Sequence, residues 1–290
     1  MSEAIMEMLK KYKCESLPDY ENALKEIIQH IALLGLARTK FFEKCAFYGG
    51  TALRIFFGLD RFSEDLDFSL IRKDTSFSLS RYFGGIKDEL GSFGFTCEIQ
   101  QRDKKTPSKI QSAFIKTTTL QNMIMIQSPD ELIRKIPKAQ LLKIKFEVDI
   151  NPEGGFEIEA RYLLEPIPFS VTMYKPPYLF AGKMHALFCR KWQQWVKGRD
   201  FYDFVWYVAK GIPLALTHLE IKMKASGDLA RDTELTKKLF IELLTKRFNT
   251  VNIEEAKKDV LPMIKNPQSI TVWSRNFFLS LVDKITFLER

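Results

Sequence analysis

Between Glu21 and Leu34, apolar residues recur at helical spacing: Leu24, Ile27, Ile28, Ile31 and Leu34 share one face, with Pro18 and Asp19 ahead of them as start signals. This pattern predicts an amphipathic opening helix. A short apolar run from Cys45 to Tyr48 then meets Gly49-Gly50, and Thr51 to Phe57 reads as a helix that Gly58 ends. Strand, turn and helix follow one another. Leu66 to Leu70 alternates apolar with acidic or polar positions, the period of a half-buried strand, and Ser80 to Leu90 predicts a helix weakened by Gly84-Gly85. Further strands are expected at Phe93 to Gln100 and Ser112 to Thr118. The clearest strand runs from Leu141 to Ile150, with Leu142, Ile144, Phe146, Val148 and Ile150 on one face and Lys143, Lys145, Glu147 and Asp149 on the other. After Asn151 to Gly155 comes another extended stretch. From Tyr178 onward the period becomes helical, over Tyr178 to Trp195, Arg199 to Lys210, Thr233 to Phe248, Ile253 to Met263 and Ser269 to Leu288. A β-rich part therefore precedes a helical part, and Pro176-Pro177 marks the change, which divides the chain into residues 1–175 and 176–290.

Composition narrows the class. At 290 residues, 46% hydrophobic and 28% charged, the chain can bury a core and is neither disordered nor fibrous. Its longest apolar stretches, such as Ile31 to Ala37, fall well short of the roughly 18 residues that cross a bilayer. The first thirteen residues lack the apolar centre of a signal peptide, so a cytoplasmic protein with no membrane partner is expected. The cysteines at 14, 45, 97 and 189 and the histidines at 30, 185 and 218 are scattered without zinc or haem spacing, and the cysteines read as small buried groups.

The net charge of +8 is unevenly distributed. Ten basic and three acidic residues lie between Arg102 and Lys145, and six basic residues with no acidic one between Lys175 and Arg199. Such clusters suit a polyanion, since lysine and arginine on phosphates release condensed counterions; solvated helix surface explains them equally well.

The densest chemistry lies between Gly49 and Asp67. Asp65 and Asp67, two apart on a strand, leave the same face and offer hard oxygens to a divalent cation. D-x-D alone is a weak signal. Gly49 and Gly50 strengthen it, because a glycine turn opening a helix brings backbone amides and the positive helix end to an anion. Thr51 adds a hydroxyl, and Arg54 a cation one turn on. Glu147 or Asp149 could supply a third carboxylate. In the helical part, Lys183 offers a point charge for a triphosphate, with Arg190 on the same face, and Asp200 could orient Lys183 or Arg199. Favourable acidic charge at a helix start would also explain Asp200 and Asp203. His185 fits packing better than base catalysis, as Trp192 and Trp195 fit packing better than base stacking.

Four blocks in order, Phe47-Tyr48-Gly49-Gly50-Thr51-Ala52-Leu53-Arg54, Arg61-Phe62-Ser63-Glu64-Asp65-Leu66-Asp67-Phe68, Ala181-Gly182-Lys183 and Arg199-Asp200-Phe201-Tyr202-Asp203, resemble the AbiEii/AbiGii nucleotidyltransferase toxins of type IV toxin–antitoxin systems. The resemblance covers roughly residues 45 to 210. It implies an α+β, polymerase-β-like nucleotidyltransferase fold: a mixed sheet with flanking helices, followed by a helical carboxy-terminal region. Carried over by position, Gly49, Gly50 and Thr51 hold the nucleotide's phosphates, with Arg54, Lys183 and Arg199 as further nucleotide contacts. Asp65 and Asp67 bind Mg²⁺ or Mn²⁺, Glu147 is taken as the third metal carboxylate with Asp149 competing, and Lys183 and Asp200 match the later essential lysine and aspartate. Thr51 stands where related enzymes often have serine. The implied reaction transfers a nucleoside monophosphate from an NTP to an RNA acceptor, with tRNA expected, by a two-metal mechanism that releases pyrophosphate. A cognate antitoxin and a link to phage defence are implied as well. Two alternatives stand beside it: a small-molecule, aminoglycoside-type nucleotidyltransferase, and a non-catalytic RNA- or protein-binding member of the fold.

Overall fold

The computed structural model describes residues 3–102, 108–190 and 196–289. Its strands are β1 (Cys45–Tyr48), β2 (Leu66–Leu70), β3 (Glu98–Arg102), β4 (Ile110–Thr118), β5 (Leu141–Asp149), β6 (Ile158–Leu163) and β7 (Phe169–Tyr174). The helices are α1 (Glu3–Lys10), α2 (Leu17–Arg38), α3 (Gly49–Phe57), α4 (Phe83–Ser92), α5 (Thr119–Met125), α6 (Asp130–Ile133), α7 (Pro176–Cys189), α8 (Gly198–Ala209), α9 (Leu216–Ser226), α10 (Lys237–Thr250), α11 (Ile253–Val260) and α12 (Arg275–Val282). The chain forms two compact units. One comprises Met1–Ala52, Ser63–Pro152 and Glu159–Met173; the other comprises Leu53–Phe62, Glu153–Ile158 and Tyr174–Arg290.

The first unit is built on a mixed sheet of order β3-β4-β5-β2-β1-β7-β6. β1 runs antiparallel to β2 and parallel to β7, while β2 runs parallel to β5, which is antiparallel to β4. Aromatic packing fixes this register. Phe47 and Phe68 are cross-strand partners with rings stacked 4.9 Å apart, and Phe146 meets Phe68 edge-on at 5.2 Å. Phe41 closes the cluster at 4.9 Å from Phe68. Slipping a strand by one residue would turn these rings out of the core, so the alternate residues are committed to the opposite face. Asp67 and Glu147 are among them.

α2 is longer than its apolar pattern predicts because its start is a reciprocal cap. The Ser16 hydroxyl accepts from the Asp19 amide, and Asp19 Oδ2 accepts from the Ser16 amide at 2.9 Å. β3 begins later than expected, since the amides of Phe93 and Phe95 both donate to the Leu90 carbonyl and continue the end of α4.

In the second unit, Pro176 and Pro177 open α7, where missing amides cost nothing, rather than standing in a linker ahead of it. Its core gathers Phe201, Phe204, Phe248 and Phe278, and Phe180 stacks on Tyr207 at 4.4 Å. α8 and α11 approach so closely that a Cβ on Gly198 would stand 1.7 Å from the Ala256 carbonyl oxygen, so only glycine fits there. The long helix expected over Ser269 to Leu288 is interrupted: a 3-10 turn spans Pro267–Ile270, and Ser274 then caps α12 by accepting from the Phe277 amide at 3.1 Å. α9 escaped the pattern because Lys222 and Lys224 alternate with Ile221 and Met223 in the manner of a strand. The helix expected through Trp195 is described only to Cys189; Trp192 and Trp195 lie outside the described residues. No helix among the described residues is long and apolar enough to cross a membrane.

Candidate active site

The sheet unit presents its carboxylates on the face opposite the phenylalanine cluster. Asp67 is the register partner of Tyr48 on β1 and of Glu147 on β5. Asp65 precedes β2 by one residue and Asp67 by two, and all three acids are half-buried. Asp149 instead partners Ser69, one step of the ladder further along, and its Oδ1 accepts from the Asn151 amide at 3.0 Å.

Glu147 is oriented by two donors, Ser112 Oγ at 2.8 Å and Lys145 Nζ at 2.6 Å. Its neighbour on the face is therefore a cation. Gly49 sits at φ +86 directly after β1, and a Cβ there would lie 2.7 Å from Asp67 Oδ2. Glycine is needed for both backbone and space. The turn that opens α3 is thus in contact with one of the two aspartates.

Thr51, expected at the phosphates, and Gln29 and Lys25, which the sequence pattern did not single out, hold this arrangement. Thr51 is buried; its hydroxyl bonds Ser63 Oγ at 3.0 Å and donates to the Asp65 carbonyl. Gln29 is fully buried on α2, and its Nε2 donates at 3.0 Å to the carbonyls of Ser63 and Glu64. Lys25 pairs with Glu64. Together they fasten the approach to Asp65. A glutamine amid the apolar face of an amphipathic helix was the available signal.

The helical unit contains a buried charge network. Arg61 and Asp203, 1% and 0% exposed, form a fork: Nε to Oδ1 at 2.6 Å and a terminal nitrogen to Oδ2 at 2.7 Å. Lys183 Nζ reaches Asp200 Oδ1 at 2.9 Å and Asp203 Oδ2 at 2.7 Å, and Arg190 reaches Asp200 Oδ2 at 2.5 Å. Three cations against two carboxylates leave one positive charge. Burial alone would raise the Asp203 carboxyl, but Arg61 and Lys183 outweigh it and hold it below its ordinary value. Burial likewise opposes the Arg61 charge, and Asp203 overcomes it, leaving the guanidinium above its usual pKa. Asp200 therefore orients Lys183 and Arg190. Asp203, which a helix-start charge would have explained, is the hub instead.

Arg54 donates to the carbonyls of Leu59 and Asp60 at 3.1 and 2.9 Å and lies over the Phe62 ring at 4.6 Å. Its guanidinium closes the loop after α3. The half-buried Arg199 has its backbone amide directed at Asp259 Oδ2, 3.5 Å away. Burial, then Arg199 and Arg190, lower the pKa of Lys197. Asp60 also accepts from the Tyr202 hydroxyl at 2.7 Å, and burial together with that bond pushes the phenol up to about 12.

The family model described as the nucleotidyl transferase AbiEii toxin of type IV toxin–antitoxin systems matches residues 31–269. Among solved structures, an H. pylori protein described as a nucleotidyltransferase is similar at 16% identity and a TM-score of 0.48, over 89% of this chain and 92% of that one. JHP933 from Helicobacter pylori is similar at 14% identity and a TM-score of 0.46, over 98% and 92%. No curated protein matches the chain.

Proposed function

Because the chain belongs to the AbiEii nucleotidyltransferase toxin family, we propose that it transfers a nucleoside monophosphate from an NTP to a hydroxyl of RNA, with tRNA as the acceptor, and releases pyrophosphate. The observation that carries this reading is the contact between the Gly49 turn and Asp67, with Glu147 as the register partner of Asp67. A phosphate-binding turn is useful to this chemistry only beside the groups that manage phosphate charge.

Asp67 on β2, its register partner Glu147 on β5 and Asp65 just ahead of β2 offer hard oxygens, a donor chemistry that fits a divalent cation such as Mg²⁺ or Mn²⁺. When bound, such ions would polarise the phosphoryl oxygens and stabilise the attacking and leaving oxygens. Register favours Glu147 over Asp149 as the third carboxylate, because Asp149 is aligned with Ser69. The amides of Gly49 and Gly50 would receive the phosphates at the start of α3. Thr51 and Gln29 act on the Asp65 segment as positioning residues, through Ser63, Glu64 and the Asp65 carbonyl. Lys183, fixed by Asp200 and Asp203, is the cation assigned to the triphosphate. The acceptor oxygen bonds to the α-phosphorus, the bond from that phosphorus to the bridging oxygen breaks, and pyrophosphate leaves. The hydroxyl proton passes to a base, the role assigned here to the Glu147 carboxylate. Catalysis of this kind rests on positioning and electrostatics.

The two basic segments suit a polyanionic acceptor. Membership of a type IV toxin–antitoxin family supports a cognate antitoxin as partner, and we extend the proposal to action in the cytoplasm and in phage defence. The test incubates the protein with each α-phosphate-radiolabelled NTP, Mg²⁺ and total tRNA, beside Asp65→Ala. Label on tRNA with the wild type alone supports the reading; RNA unlabelled with every NTP refutes the RNA acceptor.

A further inference from the structure

Apart from the carboxylate face, one group of metal-ligating side chains stands out in the helical unit. His185 and Cys189 are four residues apart and so share a face of α7, and Asp228 lies just beyond the end of α9. One imidazole nitrogen, the Cys189 sulfur and one Asp228 oxygen all lie within 4.8 Å of one another. We propose that His185, Cys189 and Asp228 bind a single borderline-soft divalent cation, Zn²⁺ by donor chemistry, through residues other than those assigned to nucleotidyl transfer.

The donor set decides the metal class. Imidazole and thiolate suit zinc and its neighbours, whereas Mg²⁺ and Ca²⁺ take oxygen. Bonds of about 2.0–2.3 Å bring tetrahedral donors to about 3.5 Å apart, so the three side chains draw together from within 4.8 Å as the ion binds. Around these donors, Ser226 Oγ lies 3.0 Å from His185 Nε2, and an Asp228 carboxylate oxygen lies within 4.8 Å of the Cys189 sulfur. Such contacts orient ligands before the ion arrives. Burial, reinforced by Lys222, lowers His185 to about 4, so its ring is neutral and has a lone pair at pH 7. Burial pushes the thiol up to about 12, so metal binding must release its proton to solvent. Cys189 and Asp228 also line a cavity of about 240 Å³ with Met223, Leu243 and Arg247, which gives the ion a path in.

The ion would fasten the last turn of α7 to the turn after α9. Arg247 already holds that end of α7, donating at 2.8 Å to the carbonyls of Leu187 and Arg190. Since α7 also carries Lys183, the metal would act as a clamp on the helix that bears it.

Cobalt(II) titration of the full chain tests this, because a cobalt–thiolate bond gives a near-ultraviolet charge-transfer band that a carboxylate-only site cannot produce. The expected result is one such band, saturating at one ion per chain and displaced by Zn²⁺. Cys189→Ser should abolish it, and His185→Gln or the exposed Asp228→Asn should weaken binding by more than roughly 100-fold, beyond the effect of losing an outer partner. Zn²⁺ should also raise the Tm of the wild type and not of Cys189→Ser. Absence of the band, its survival in Cys189→Ser, or unchanged affinity in both other variants overturns the site. Neither readout involves nucleotide transfer, so it stands or falls apart from the proposed activity.

Discussion

Asp203→Asn is the sharpest probe of the helical unit. The side chain keeps its shape and loses its charge, so its Nδ2 must face a donor of Arg61 or Lys183 where a carboxylate oxygen accepted at 2.7 Å. Both Asp203 and Arg61 are almost wholly buried, so neither water nor rearrangement can replace the missing acceptor cheaply. Removing one partner of a buried pair costs about 3–5 kcal/mol. At a urea slope of about 3 kcal/mol per molar, the midpoint should fall by about 1–2 M. Tryptophan fluorescence reports on this unit, because the described tryptophans, Trp206 and Trp273, belong to it. Arg61→Met combined with Asp203→Leu should recover part of the loss, since no unpaired charge then remains between those two positions. A shift under about 0.3 M for Asp203→Asn, or single effects that merely add, would refute the account of Asp203 as the hub of the network.

Gly49→Ala should cost about 1–3 kcal/mol through its positive φ and crowd Asp67, and transfer to RNA should fall more steeply than the Tm, as parallel activity and melting measurements would reveal. Gln29→Leu frees the Ser63 and Glu64 carbonyls; a displacement of about 1 Å at Asp65 would slow transfer roughly 100-fold, while circular dichroism stays unchanged. His218, lowered to about 4 chiefly by burial and then by Lys222, is neutral in the fold and protonates below about 6.5 when unfolded. Its contribution to stability is therefore complete above pH 6.5 and lost as pH falls toward 4. Urea midpoints across that window should decline more gently for His218→Gln, and equal slopes would contradict the assignment.

Local chemistry was legible in the chain itself. The alternation of Leu66 to Leu70 and of Leu141 to Asp149 placed Asp67 and Glu147 on polar strand faces, because side-chain period in a strand is a property of neighbouring residues. Gly49-Gly50 announced a turn for the same reason. What the chain could not disclose was which strand lies beside which. The sheet order that makes Glu147 rather than Asp149 the partner of Asp67 depends on an aromatic cluster drawn from Phe41, Phe47, Phe68 and Phe146, whose packing exists only after distant segments meet. Arg61 and Asp203 are 142 positions apart, so their pairing left no local trace, and each alone looked like an ordinary charged residue. Gln29 and Thr51 were likewise invisible as positioning groups, since their partners are backbone carbonyls at Ser63, Glu64 and Asp65, and every sequence carries carbonyls. Periodicity and turn chemistry are short-range and therefore written in the sequence; register and buried charge pairing are long-range, and only tertiary packing decides them.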